Sequence, residues 1–444
     1  MDKKLIESAS KSNGIIRTLV TDLSGGLREI IFPAHTINDI IESGIAYDGS
    51  SFEGVNEINA SDSIIKGDPQ TLVKIPQSIA DTEQQEYWII CDILDTNGNT
   101  HPNCVRSALR TQQQKLKKIW NNGELMVGAE PEAFFVEDRN KIGEIMGENS
   151  NYFNPRDPKI FIMIEICQVL SEMGFKIERS HPEVGNEQFE INWEFDTAER
   201  TADRIQIYKL VAHKVAQKHG IDVTFLPKPY PNQNGSGMHC HLSVQGNGKN
   251  LFFDKNNQEQ HYFSDTALKF LAGILKYSPN IAAVSNPAEA SYARLVPGYE
   301  APCIIAIGSY NRSAAARIPA ISDLNTLSKA IRAEFRYPDP LANSYLLMHA
   351  FITAGIIGIE KDTTFKGFTE ENLFALSMAQ IKKKRLKLLP RNLWEAYSYF
   401  VMNPEFTEKF GSHLHKSYAN LILKEIDECQ PFANKESMRR HFHS

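Results

Sequence analysis

Four short stretches place charged or metal-coordinating groups on alternate residues, with apolar or small residues between them. They are Glu130-Pro131-Glu132, Gln188-Phe189-Glu190-Ile191-Asn192, Met238-His239-Cys240-His241-Leu242-Ser243 and Arg332-Ala333-Glu334-Phe335-Arg336. A repeat of two marks a β-strand, in which successive side chains leave opposite faces, so each stretch collects its polar groups on one face. Burying an unpaired ion costs several kcal/mol, and four such strands cannot pack those faces into a dry core. The pattern calls for a sheet whose polar face lines a cavity that holds cations and anions.

The rest of the composition narrows the class. A chain of 444 residues has ample sequence for a large core and predicts more than one domain. Net charge is −6 with the signs interspersed, so no basic footprint points to nucleic acid. The six cysteines (Cys91, Cys104, Cys167, Cys240, Cys303 and Cys429) are widely spaced with no CxxC pair, the usage of a reducing compartment. The N-terminal segment lacks the apolar core of a signal peptide, and the apolar run from Tyr345 to Ile359 is too short to span a bilayer. A cytoplasmic chain without membrane contact is expected.

The first hundred residues read as a small strand-rich unit. Ile15 to Leu23 and Leu27 to Phe32 flank the turn Ser24-Gly25-Gly26, and Tyr87 to Leu94 is a further strand. A polar segment from Asn97 to Pro102 marks the boundary, giving domains over 1–103 and 104–444. Helical spacing follows over Val105 to Trp120, and Ile160 to Met173 forms an apolar helix stopped at Gly174. Thr201 to His219 forms another, capped by Thr201 and stopped at Gly220. Strands and helices alternate irregularly to about Ile359, and helices dominate thereafter. The run Lys382-Lys383-Lys384-Arg385 reads as a solvated face.

Glu130, Glu132, Glu183, Glu190, Glu194 and Glu334 put carboxylates on or beside core strands, and His239 and His241 share one face of another. Mixed carboxylate and imidazole ligands suit Mg²⁺ or Mn²⁺, whereas a structural zinc site would want a cysteine pair. Arg294, Arg312, Arg317, Arg332 and Arg336 add five guanidinium forks suited to phosphate and carboxylate. Metals with several arginines equip a chain for phosphoryl transfer, which relies on positioning and charge neutralisation. No GxxxxGK[ST] loop occurs, and Asn234-Gly235-Ser236-Gly237 precedes a strand rather than a helix. Its glycines instead let backbone approach a small ligand closely.

Six segments together carry a resemblance to a known family. They are Tyr47-Asp48-Gly49-Ser50-Ser51, Gly128-Ala129-Glu130-Pro131-Glu132, Phe225-Leu226-Pro227-Lys228-Pro229, Asn234 to His241, Pro297-Gly298-Tyr299-Glu300-Ala301-Pro302 and Asn311-Arg312-Ser313. In this order they resemble the signature segments of type I glutamine synthetases, collinearly from about Ile15 to Ile359. The resemblance implies an α+β fold: a small N-terminal β-grasp domain, then a large catalytic domain whose curved antiparallel sheet lines the active site. It also implies a homo-oligomer of two stacked hexamers with sites between subunits, two or more Mg²⁺ or Mn²⁺ ions per site, and ATP and glutamate as substrates.

By position in those motifs, Glu132, Glu183 and Glu190 would hold one ion, and Glu130, His239 and Glu334 the other. Asn234, Gly235, Arg294 and Arg336 would bind glutamate, while Arg312, Arg317 and Arg332 would neutralise the transferring phosphoryl group. His241 and Ser243 would face the nucleotide. Ammonium has no lone pair until it loses a proton, so an anionic pocket must bind and then deprotonate it. The resemblance gives that pocket to Ser51, Tyr152 and Glu183, with Asp48 of a neighbouring subunit as base and Glu300 on a closing flap.

The chain departs from the family at Pro182 and Ala293, where a histidine and a lysine are usual. It also departs in a longer segment between Pro319 and Arg332 and in the tail ending at Ser444. Asn372-Leu373-Phe374 stands where some members carry an adenylylated tyrosine, so no regulation of that kind is expected. Three functions stay open on the sequence: glutamine synthetase proper, a ligase joining glutamate to a polyamine or monoamine, and an inactive regulatory homologue.

Overall fold

The turn at Ser24-Gly25-Gly26 joins β1 (Ile15–Thr21) to β2 (Leu27–Pro33) as an antiparallel hairpin. Gly25 takes φ +94°, and the Asp22 carboxylate accepts the Gly26 N–H at 2.9 Å. The computed structural model describes residues 3–147, 151–296, 301–321 and 323–429. Around the hairpin stand α1 (Lys3–Ser10), α2 (Ile37–Glu42), β3 (Ile45–Asp48), β4 (Asp62–Gly67), β5 (Val73–Lys74) and β6 (Glu86–Leu94). The strands lie in the order β2-β1-β6-β4-β3, with β5 on β6 and β1 parallel to β6. Ile16, Val20, Ile37, Ile40, Ile65 and Ile89 close a core of their own, as the β-grasp expectation requires.

The second sheet has eleven strands among the described residues. They are β7 (Glu124–Val136), β8 (Ile177–Pro182), β9 (Gln188–Trp193), β10 (Asp196–Thr197), β11 (Asp222–Thr224), β12 (Met238–Gly246), β13 (Lys249–Asn250), β14 (Ile304–Ser309), β15 (Ala314–Ile318), β16 (Ala333–Phe335) and β17 (Lys387–Leu388). Their order is β17-β14-β15-β16-β12-β7-β9-β8. One pair departs from the expected antiparallel sheet: β14 and β15 run parallel. The long strand β7 pairs with β12 up to Pro131 and with β9 from Glu132 onward. The change of partner falls at a residue without an N–H to give to a ladder.

Eleven α-helices accompany this sheet among the described residues. They are α3 (Val105–Ile119), α4 (Ile160–Glu172), α5 (Ala198–Lys218), α6 (Asp265–Ser285), α7 (Glu289–Arg294), α8 (Leu327–Ala330), α9 (Ser344–Glu360), α10 (Met378–Lys383), α11 (Leu393–Val401), α12 (Pro404–Phe410) and α13 (Ser412–Cys429). Of these, α3, α4, α5 and α6 pack directly on its strands. The apolar run of α9 is buried on all sides rather than on one stripe. It packs on α6 with Gly358 facing Gly273, where a Cβ on either glycine would strike the other helix's backbone. No helix among the described residues is long and apolar enough to cross a membrane.

Two local expectations are corrected. The helix expected from Thr201 begins a turn earlier, because the Thr197 hydroxyl accepts the Arg200 N–H. Thr201 lies inside it and donates to the Val127 carbonyl at 2.8 Å, so it ties α5 to β7. Glu194 lies beyond the end of β9, half exposed and paired with Lys176 at 2.7 Å, not on the polar sheet face. The basic run at Lys382 to Arg385 is solvent-exposed, as expected.

Arg106 of α3 joins the two domains. Its buried guanidinium lies 2.7 Å from Asp68 and 3.4 Å from Asp92 of the first domain, and 2.9 Å from Asp203 of α5. Burial opposes this charge, but the surrounding carboxylates hold it firmly protonated. This joint fixes the first domain beside the end of α5 that supports β7.

Candidate active site

The alternation read in the sequence becomes two cross-strand rows. On β12, His239 stands opposite Glu130, and His241 stands between Gly128 of β7 and Glu334 of β16. Glu334 in turn faces Arg317 of β15. On the other side of β7, Glu132 faces Glu190 of β9, and Glu190 faces His181 of β8. The residues between them, such as Cys240, Ala133, Phe189 and Phe335, are buried in the core behind the sheet. Strand pairing alone thus gathers the polar groups of six strands onto one surface.

Their atoms converge closely. His239 Nδ1 lies 3.4 Å from Glu130 and 3.8 Å from Glu334, and its Nε2 lies 3.9 Å from Glu132. His241 Nε2 lies 3.1 Å from Glu130. Arg332 Nε donates to His241 Nδ1 at 3.2 Å, which leaves the ring proton of a neutral His241 on the nitrogen facing Glu130. His181 lies 3.5 Å from Glu183 and 3.6 Å from Glu190. Three sets have ligand atoms mutually within 4.8 Å: Glu130, Glu190 and His239; Glu130, His241 and Glu334; and His181, Glu183 and Glu190.

Electrostatics divides the cluster into a strained half and a neutralised half. Burial, together with Glu183 and Glu190, drives the Glu132 carboxyl well above the usual carboxylate range. The Arg294 charge, the Gly237 N–H at 2.9 Å and the Gln188 side-chain amide at 3.1 Å favour its charge but do not offset this. Burial also disfavours ionised Glu334, yet His241, Arg336, His239 and Arg317 outweigh it and pull its carboxyl down to about 2. Arg317 and Arg336 each donate to Glu334 at 2.6 Å. Carboxylates crowded without a counter-charge, beside imidazole, form the donor set that a hard dication completes.

Two cavities meet over this surface. One, of about 890 Å³, runs past Gly128, Phe195, His241, Ser243, Arg332 and the Lys329-Ala330-Ile331 segment. The other, of about 590 Å³, holds Glu132, Glu183, Glu190, His239, Asn234 and Arg336. Glu130, Arg179, Arg312 and Arg317 line both, so these four residues form the neck between the chambers. Volumes of this size suit small-molecule substrates.

The expected binding residues fall on this framework in different ways. Asn234, Gly235, Arg294, Arg336 and Tyr152 line the smaller chamber. Arg294 gives its terminal nitrogens to the Tyr337, Pro338 and Arg336 carbonyls at 2.8, 3.2 and 3.0 Å. It therefore fixes the chain next to Arg336, whose own buried Nε has no partner among the described residues. A Cβ at Gly237 would overlap the Arg294 guanidinium, which accounts for a glycine there. Asp48 and Ser51 are exposed on the first domain, where Ser51 donates to Asp48 at 3.1 Å, and neither lines a chamber of its own chain. Glu300 and its neighbours Pro297 to Tyr299 lie outside the described residues, as does the tail from residue 430.

Two residues of the site were not singled out in the sequence. His181 contacts two of the expected carboxylate ligands, and Arg179 Nη2 donates to Glu130 at 2.7 Å. Both are on β8, where Arg179 and His181 sit two apart on one face. The same spacing rule would have found them.

A face of acidic and imidazole groups that could hold metal ions, beneath paired chambers rimmed by arginines, is the site of an enzyme equipped for anionic substrates. Residues 102–441 match the family model of the glutamine synthetase catalytic domain, and residues 14–96 that of the glutamine synthetase β-grasp domain. Glutamine synthetase of Methanococcus maripaludis is 35% identical over 428 residues, 94% of each chain. That of Thermus thermophilus is 34% identical over 432 residues, 96% of this chain and 95% of the relative. Among solved structures, an ADP complex of GmaS superposes with a TM-score of 0.87 at 25% identity, covering 99% of both chains. Plasmodium falciparum glutamine synthetase gives 0.86 at 24%, covering 99% of this chain and 98% of that one, which speaks for the fold alone. The chain belongs to the glutamine synthetase family of ligases.

Proposed function

We propose that this chain forms glutamine from glutamate and ammonium, with ATP consumed through a γ-glutamyl phosphate. The observation that carries the proposal is the neck: Glu130 and three arginines, Arg179, Arg312 and Arg317, lie where two chambers meet, with the other acidic and imidazole ligands beside them. Nucleotide in the larger chamber and glutamate in the smaller would bring the γ-phosphate and the side-chain carboxylate together at that neck. A carboxylate is a poor electrophile, and phosphorylation supplies the leaving group that the amine displaces.

Glu132, Glu183 and Glu190 would hold one divalent cation, and Glu130, His239 and Glu334 a second; the un-neutralised crowding at Glu132 fits such a group. Mg²⁺ or Mn²⁺ there would supply charge neutralisation for the transferring phosphoryl group. Around it, Arg312, Arg317 and Arg332 would bind the developing phosphate charge. Asn234, Gly235, Arg294 and Arg336 would hold glutamate, its carboxylate meeting the unpartnered Nε of Arg336. His241 and Ser243 would orient the nucleotide.

Asp48 is assigned as the base that takes the ammonium proton, delivered by a neighbouring copy together with Ser51, beside Tyr152 and Glu183. Its exposed carboxylate is held below the usual range by hydrogen bonds from Ser50 and reaches no chamber of its own chain. That supports a ring of subunits with shared sites, and two stacked hexamers are the assembly we assign. Glu300 would close the site from its flap. The boundary at residues 103 and 104 and a cytoplasmic location, consistent with six free cysteines, complete the reading.

Phosphate release that depends on both ATP and glutamate, measured over a panel of amines, tests it. Ammonium should give the highest kcat/KM. A far higher value for an organic amine would reassign the chain as a γ-glutamyl-amine ligase, and no release with any amine would leave an inactive homologue.

A further inference from the structure

Arg179 departs from Arg317 and Arg336. Arg336 is buried and Arg317 largely so, both locked onto the fully buried Glu334, whereas the Arg179 side chain is 58% exposed. It projects from β8 into the neck and lines both chambers. Its Nη2 lies 2.7 Å from Glu130 Oε1 and 3.7 Å from Glu190. The same Glu130 oxygen also accepts from Asn192 at 3.2 Å and faces His241 at 3.1 Å.

Arg179 therefore competes for the carboxylate oxygens that a dication would bind. Only the Glu130 end of this pair is largely buried, and the guanidinium end stands in solvent, so a divalent ion at Glu130 can replace the guanidinium without stranding it. Arg336 cannot be displaced as easily, because its release would strand buried charges. Once released, Arg179 remains tethered beside the neck and close enough to Arg332 for their charges to repel. A polyphosphate entering from the larger chamber is the anion within its reach, and guanidinium is suited to bind it.

We propose that Arg179 is an exchangeable phosphate-binding arginine: it pairs with Glu130 until a divalent cation takes that carboxylate, then binds the nucleotide's phosphates. The assignment rests on the proposed use of ATP and dications and adds a residue to it. It predicts opposite effects on two ligands from one substitution. Removing the guanidinium removes a competitor of the metal and a partner of the phosphates.

The test compares wild type with Arg179→Ala and Arg179→Lys by calorimetry. Mn²⁺ is titrated without nucleotide, and then a non-hydrolysable ATP analogue is titrated at saturating Mn²⁺. Arg179→Ala should bind Mn²⁺ more tightly and the analogue about tenfold more weakly, as loss of a charge-assisted hydrogen bond implies. The KM for glutamate should stay unchanged, and Arg179→Lys should recover part of the analogue affinity. Unchanged analogue affinity, or weaker Mn²⁺ binding, in a folded Arg179→Ala protein would overturn the role of Arg179. Wild type that binds neither Mn²⁺ nor the analogue would instead overturn the functional reading beneath it.

Discussion

Glu132 stands directly across the antiparallel ladder from Glu190, carboxylate against carboxylate, with both side chains buried. Like charges in that position destabilise a sheet, and burial deepens the cost. Glu183 adds a third acidic group, and Glu132 accordingly resists ionisation. A sheet bearing such a pair has the donor set that a cation would relieve.

Glu132→Gln should therefore separate stability from function. It removes one of the repelling charges at nearly constant volume, so the chelator-treated variant should melt no lower than chelator-treated wild type. Mn²⁺ at a hundred times its Kd should stabilise wild type by about 2.7 kcal/mol, and the variant should lose most of that gain along with its activity. Thermal unfolding with and without Mn²⁺ measures both. A variant that keeps the full Mn²⁺-dependent shift would remove Glu132 from the ligand set.

Arg312 belongs to the neck and lines both chambers from an exposed position. Its charge should matter most when the phosphoryl group is between donor and acceptor. Arg312→Ala should lower kcat about a hundredfold, the scale of losing one preorganised donor, while ATP affinity changes little. Single-turnover rates set against analogue binding make the comparison, and equal losses in both would make Arg312 a ground-state contact.

The site was legible wherever chemistry follows a strand's period of two. Glu130, Glu132, Glu190, His239 and Glu334 face one another because strand register leaves them no other face. Arg179 and His181 obey the same rule, but polar Ser180 between them and Glu178 before them blur the apolar alternation. Start signals were less informative. Thr197 and Thr201 are equally good caps locally, and the choice was made by α5 docking through Thr201 onto Val127. The parallel pairing of β14 with β15 likewise depends on long-range packing that no local pattern records. Asp48 lies beyond any single-chain argument, because the partners proposed for it would belong to another copy.

Shared sites can be tested by mixing two inactive proteins. Asp48→Ala lacks the base it would give to a neighbour, and Glu132→Ala lacks the metal ligand of its own site. In a ring assembled from equal parts of both, about a quarter of the interfaces combine an intact Asp48 with an intact Glu132. Co-expression, or unfolding and reassembly together, should restore activity to about that fraction of wild type. Mixed rings with no activity, shown by mass spectrometry to contain both chains, would place the base elsewhere.

His349 sets a pH limit far from the site. It is buried on α9, with the Thr353 hydroxyl at 3.5 Å and the Phe410 ring at 4.5 Å. Burial, aided by the Lys115 charge, pulls its imidazole from 6.5 down to about 3. Below pH 6.5 the unfolded chain takes up a proton that the folded chain refuses, so the penalty grows as pH falls towards 3. Stability from this group is complete above 6.5 and lost on acidification, by several kcal/mol over the window. His349→Leu replaces the ring with an apolar side chain and leaves the Thr353 hydroxyl bonded to the residue 349 carbonyl at 2.8 Å. Urea midpoints followed from neutral pH into the acid range should fall less steeply in His349→Leu than in wild type. Parallel acid limbs for the two proteins would mean that the folded chain accepts the proton at this position after all.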